Sequence, residues 1–278
     1  MINLDSSTAL DDLTFAFLDV ETTGLSPRYG DRVCEIAVVR SRADLIQATY
    51  ATLVNPERKI SPGAAAVNGL RDEDVRDAPP FAKIADPLIE LFRDAIIVCH
   101  NAPFDLGFLS NEMQRAGKTF RAATSIDTLM LARTNYDFRS NSLSNVARAL
   151  GIPTPDAHRA LGDVMTTRAI LNRFIEDFWK AGRRTLGDLM GLHGGEVFVP
   201  TTSTVEPLPT EIAEALASGK RLFLVYVDAR GKKSERWVTP QRVVGADDTL
   251  TLVAHCHLRD ERRQFRLDRI VRMDVENQ

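Results

Sequence analysis

Leu13-Thr14-Phe15-Ala16-Phe17-Leu18 runs directly into Asp19-Val20-Glu21-Thr22-Thr23-Gly24. The first stretch is apolar, aromatic and of strand length, the pattern of a buried strand. Side chains alternate along a strand, so Asp19 and Glu21 point to the same side of it. Two carboxylates placed this way repel each other unless a cation lies between them. Oxygen donors suit hard divalent ions such as Mg²⁺ or Mn²⁺. Thr22-Thr23-Gly24 turns the chain, which puts the acids at a strand mouth.

The following residues predict how that strand is covered. Arg32 to Arg40 and Ile46 to Val54 read as two further strands, and short turns between successive strands predict an antiparallel meander. Asn55 to Pro80 is rich in Pro and Gly and reads as loop. Phe81 to Arg93 has helical spacing, with Pro87 as a kink or a later start. Ala95 to Cys99 is a short buried strand. Pro103 opens a helix to about Ala116 with Gly117 as its stop. Asn141 to Leu150 and Ala160 to Lys180 are helices, the second with Ile170, Leu171, Phe174 and Phe178 on one stripe. Strands first, then helices alternating with short strands, predict an α/β fold with a mixed sheet flanked by helices.

Four acids and one histidine fall at strand mouths or helix starts: Asp19, Glu21, Asp105, His158 and Asp163. Taken singly, Asp105 and Asp163 are explained as first-turn acids opposing a helix dipole, and Asp127 as the cap of the next turn. Composition narrows what they can serve. A formal net charge of -3 supplies no global basic field, so nucleic-acid binding would rest on local patches or on metal. Cys34, Cys99 and Cys256 are sparse and match no zinc spacing, which predicts reduced thiols and a cytoplasmic protein. No apolar run has the length of a membrane span and no secretion signal is visible, so no membrane partner is expected.

In order and context the five residues resemble the DEDDh exonucleases of the DnaQ-like family. Asp19-Val20-Glu21-Thr22-Thr23-Gly24 is similar to that family's first motif, and His100-Asn101-Ala102-Pro103-Phe104-Asp105 to its second. His158-Arg159-Ala160-Leu161-Gly162-Asp163 is similar to its third. The sister subclass carries a tyrosine where this chain has Arg159, so the histidine form is indicated. The resemblance implies a ribonuclease H-like fold and 3′→5′ hydrolysis of single-stranded DNA or RNA from 3′ ends, with DNA favoured. It also implies two Mg²⁺ or Mn²⁺ held by Asp19, Glu21, Asp105 and Asp163, with His158 as proton acceptor. A free imidazole titrates near about 6.5, so a histidine can accept a proton at neutral pH. With less force it implies that the backbone at Thr22 contacts the terminal hydroxyl, Leu25 wedges beside the terminal base, and Phe104 and Asn101 line and orient the nucleotide. An RNA-trimming or oligoribonuclease-like enzyme and a catalytically silent nucleic-acid sensor are the alternatives.

These features predict an exonuclease domain over 10–182, a linker over 183–206 and a second domain over 207–278. In the second domain Thr210 to Ser218 reads as a helix with Thr210 as N-cap. Leu222–Val227, Glu235–Val238, Leu250–His255 and Arg263–Leu267 read as strands. This unit resembles a WYL domain, which implies a small β-rich, SH3-like fold. The match is best over Arg262 to Ile270, and Leu250-Thr251-Leu252 stands where the name-giving Trp-Tyr-Leu would be. Six arginines crowd into 259–272, and the Arg fork suits phosphate recognition. Arg263 and Arg269 are the candidate residues for a nucleotide or nucleic-acid ligand there. Oligomeric state is left open.

Overall fold

The computed structural model describes residues 5–27, 30–120, 124–154, 158–194, 208–228, 231–246 and 249–276. The first unit is a five-stranded sheet in the order β3-β2-β1-β4-β5. Its strands are β1 (Thr14–Thr22), β2 (Val33–Arg42), β3 (Leu45–Leu53), β4 (Ile96–Cys99) and β5 (Ser125–Asp127). The first three pair antiparallel and β4 and β5 join parallel, which makes the sheet mixed. β1 is central and packed on both faces, which is why its apolar run is continuous. Phe15 and Phe17 enter one core, with Ile96, Val98, Ile170 and Phe174. Ala16, Leu18 and Val20 enter the other, with Leu88, Phe108 and Leu109.

Helices cover both faces. α1 (Pro62–Asn68), α2 (Asp72–Val75), α3 (Phe81–Phe92), α4 (Ala102–Arg115), α5 (Thr128–Asn135), α6 (Leu143–Ala149), α7 (Ala160–Lys180) and α8 (Leu186–His193) follow in chain order. The stripe of α7 is buried as its spacing requires, with Ile170, Leu171, Phe174 and Phe178 in the first core. α3 continues through Pro87 as one helix. Truncating a buried aromatic such as Phe174 costs about 3–5 kcal/mol, a large part of the ~5–15 kcal/mol that holds a domain folded.

Two segments read as irregular from sequence contain helix. Within the stretch read as loop, α1 starts at Ser61, whose side chain accepts from the Ala64 amide, and ends at Gly69 with φ +73°. Within 183–206, α8 buries Leu186 and Leu189 in the first core, so residues 186–193 pack with the exonuclease sheet. Residues 195–207 lie outside the described residues.

The second unit contains α9 (Thr210–Ser218) and a five-stranded sheet in the order β10-β6-β7-β8-β9. Its strands are β6 (Leu222–Val227), β7 (Lys233–Ala246), β8 (Thr249–Cys256), β9 (Glu261–Arg266) and β10 (Ile270–Val275), all paired antiparallel. β7 extends well beyond Glu235–Val238, a further strand, β10, pairs with β6 at the sheet edge, and Thr210 is not the N-cap of α9. Pro209 takes the cap position with no side-chain hydrogen bond, so Thr210 is already inside the helix. All three cysteines are free and buried. Among the described residues no helix is long and apolar enough to cross a membrane.

Candidate active site

Asp19 and Glu21 extend the β1 row of Phe15 and Phe17, and that row faces α7. Asp163 lies in the first turn of α7. One carboxylate oxygen each from Asp19, Glu21 and Asp163 comes within 4.8 Å of the others. Asp105, in the first turn of α4, is 3% exposed and stands beside this triad. Its Oδ1 accepts from the Val20 amide at 3.1 Å, which fixes the α4 start against β1.

Burial, then the neighbouring carboxylates, push the Asp19 and Glu21 carboxyls well above the usual range. Burial does the same to Asp105 and raises Asp163 to about 6. Such a cluster holds protons or a cation, and an all-oxygen donor set fits Mg²⁺ or Mn²⁺. Because folding raises these pKa values, the folded, metal-free protein binds more protons than the unfolded chain. Its stability from this source is full below the ordinary carboxyl range and is lost as pH rises through the raised values, about 6 for Asp163. A bound cation replaces the protons. Mn²⁺ is therefore expected to raise the melting temperature more at about pH 8 than at about pH 5. Scanning calorimetry reads this, and equal increments at both would contradict it.

The third motif is held by a residue that the sequence reading passed over. Glu35, on β2 directly opposite Glu21, is 6% exposed. Its carboxylate accepts from Arg159 Nε at 3.0 Å, Arg159 Nη2 at 2.8 Å and the Ala160 amide at 3.3 Å. This fork pins the start of α7 to the sheet across 124 positions. It also neutralises a fifth carboxylate beside the triad. An acid between Cys34 and Ile36 in a strand buried on both sides was the available signal. Glu35→Ala, which leaves Arg159 without that carboxylate, is expected to lower steady-state nucleotide release about 10–100-fold. Unchanged turnover would mean that α7 is seated by its apolar stripe alone.

His158 precedes this anchor in a left-handed backbone conformation, φ +65°, with its ring exposed. Its amide donates to Asp163 Oδ2 at 3.2 Å, so the histidine and the last acid are fixed as one unit. The second motif is braced by Asp127. Asp127 Oδ1 accepts from the Asn101 amide and from the Leu129 amide, both at 2.9 Å, so Asp127 caps α5 and also holds the turn before α4. Asn101 is the left-handed N-cap of α4, φ +77°. His100 is half-buried between Thr128 Oγ1 and the Asn141 carbonyl, each at 2.8 Å.

Thr22 is buried, its hydroxyl donating to the Gly24 carbonyl at 2.5 Å. Phe104 is half-buried, its ring 5.0 Å from that of Phe108. Leu25 is half-buried and packs against the core of the second unit. Arg263 is exposed on β9 with its Nε 3.7 Å from Glu261. Arg269 is half-buried in the 3₁₀ turn Leu267–Arg269.

The exonuclease (RNase_T) family model matches residues 16–171, more than half of the chain and all of the motifs above. The chain belongs to the DnaQ-like exonuclease family. A WYL domain model matches residues 207–275, so the exonuclease unit is followed by a WYL domain. A DNA polymerase III subunit epsilon-like protein of Rhodobacter capsulatus is 35% identical over 190 residues, 66% of this chain and 27% of that protein. A PolC-type DNA polymerase III of Thermotoga maritima is 34% identical over 187 residues, 67% of this chain and 14% of that one. The chain thus spans only a minor part of these relatives. Exonuclease I shares the fold over 87% of this chain and 55% of its own, with a TM-score of 0.55 at 20% identity. A 3′-exonuclease that recognises histone mRNA stem-loop shares it over 62% and 84%, with a TM-score of 0.54 at 18% identity.

Proposed function

We propose that this DnaQ-like exonuclease is a metal-dependent 3′→5′ exonuclease that releases nucleoside monophosphates from single-stranded nucleic acid, DNA in preference to RNA. The observation that carries this reading is the convergence of Asp19, Glu21 and Asp163 oxygens within 4.8 Å, next to a buried Asp105 and on the same helix start as His158. Bound there, two Mg²⁺ or Mn²⁺ ions would supply Lewis-acid activation of water and charge stabilisation at the attacking and leaving oxygens of the phosphodiester. Asp19, Glu21 and Asp163 would hold one ion, and Asp19 with Asp105 would support the other. His158 takes the proton of the attacking water. The Thr22 backbone meets the terminal 3′ hydroxyl, Leu25 and Phe104 bound the terminal base, and Asn101 orients it.

The exonuclease domain is assigned to 10–182 together with α8, and the WYL domain to 207–278 with an SH3-like reading of its antiparallel sheet. In that domain Arg266 and Arg272 pair with Asp268 and Asp274, while Arg269 has no ion pair among the described residues. That favours Arg269, with Arg263, as the contact to a nucleotide or a single strand. For DNA, support comes from the fold shared with E. coli exonuclease I, crystallised with a dT13 oligonucleotide. The shared fold of the histone mRNA 3′-exonuclease keeps RNA as the second reading.

The test uses 5′-labelled single-stranded DNA and RNA of one sequence with Mg²⁺ or Mn²⁺. The expected result is a ladder shortening from the 3′ end, faster on DNA and abolished by EDTA. Intact oligonucleotides that nonetheless bind would establish the silent-sensor alternative instead.

A further inference from the structure

α1 lies between the first motif and the WYL domain and touches both. Its start is tied to the motif by the Ser61 amide, which donates to the Thr23 carbonyl at 3.0 Å. Its end is tied by Asn68, 4% exposed, whose Nδ2 donates to the Thr22 carbonyl at 3.3 Å. The Asn68 amide also faces the Glu21 carboxylate. A neutral amide in that place orients a carboxylate ligand without competing for the cation.

The other side of α1 rests on the WYL domain backbone. A Cβ on Gly63 would lie 2.5 Å from the Asp268 carbonyl oxygen, 2.9 Å from its carbon and 3.1 Å from the Ile270 carbonyl oxygen. Only a residue without a side chain allows this approach. Beyond Gly24, Leu25 packs into the WYL core. The first motif is therefore gripped by the WYL domain at two points, directly at Leu25 and through α1 at Thr22 and Thr23.

We propose that the WYL domain sets the metal affinity of the exonuclease site through α1, with Asn68 as the positioning residue for Glu21. The inference rests on the metal-dependent reading above. A shift of α1 by a fraction of an ångström moves Asn68 relative to Thr22 and Glu21, and so changes how well the first two ligands are preset. A ligand on the WYL domain that alters the 267–270 backbone would act on cleavage without approaching the acids.

Mn²⁺ binding to the full, metal-free chain, read by titration calorimetry, is the measurement. Binding by the unaltered protein tests the metal reading alone, and absence of heat overturns both proposals. Asn68→Ala and Gly63→Val are each expected to weaken Mn²⁺ about 10–100-fold. The double variant should be no weaker than the worse single one, because both act on one path. In cleavage, kcat at fixed metal should fall while KM for the oligonucleotide stays. Gly63→Ala, which adds the Cβ alone, serves if the Val variant does not fold. A measurement on the unaltered chain tests the same coupling in reverse. Coupling is reciprocal, so saturating Mn²⁺ should slow amide exchange in Leu267–Arg269 and Ile270–Val275. Folded Gly63 and Asn68 variants with unaltered Mn²⁺ affinity, additive losses, or exchange in 267–275 unmoved by Mn²⁺ would each overturn the proposal.

Discussion

Asp19→Asn is expected to slow nucleotide release by about 1000-fold. Asp19 is the one acid assigned to both ions, and Lewis-acid stabilisation of a phosphoryl transition state is worth several kcal/mol, at about 1.4 kcal/mol per factor of ten. The same substitution should leave the metal-free protein more stable. Asp105, Glu21, Asp163 and Glu35 all press on the half-buried Asp19, and an amide removes one charge from that group without changing its shape. Melting temperature without metal should rise, and the gain on adding Mn²⁺ should shrink. Full activity with a lower melting point would show that Asp19 is a structural acid and would remove the centre of the proposed site.

His158→Ala has the second large effect and a different signature. A positioned general base contributes about 10²–10⁴-fold, so cleavage should fall by that factor. The ring is exposed and the motif is anchored through Arg159 and the His158 amide. Stability should therefore change by no more than about 0.5 kcal/mol, and Mn²⁺ affinity should be close to that of the unaltered chain. Steady-state cleavage beside calorimetric Mn²⁺ binding separates the two variants: one loses metal and turnover, the other turnover alone. If His158→Ala cleaved at the normal rate, another group would have to take the proton.

Local chemistry made part of this legible in the sequence. The period-2 rule put Asp19 and Glu21 on one face of β1, and the 3.6-residue stripe of Ile170, Leu171, Phe174 and Phe178 marked α7 as a helix. What escaped was non-local. Glu35 is an unremarked strand residue until Arg159 arrives from 124 positions away. α1 is too short to be stable alone, and Gly63-Ala64-Ala65-Ala66-Val67 shows no stripe. It exists because Ser61 and Gly69 cap it and because the WYL domain packs against it. Similarly, α8 sits among glycines, and only burial of Leu186 and Leu189 reveals it as part of the core.

The fork between Glu35 and Arg159 also sets the order in which hydrolytic competence appears during synthesis. β1 and β2 emerge first and carry Asp19, Glu21 and Glu35, which by themselves are crowded negative charge. Asp163 and His158 arrive only when α7 docks, and the docking partner that receives them has been waiting on β2. A nascent or partly unravelled chain thus lacks Asp163 and His158 at the site, which on the proposed reading leaves an incomplete ligand set and no proton acceptor. On the proposed reading, hydrolysis is thereby confined to molecules that have finished folding.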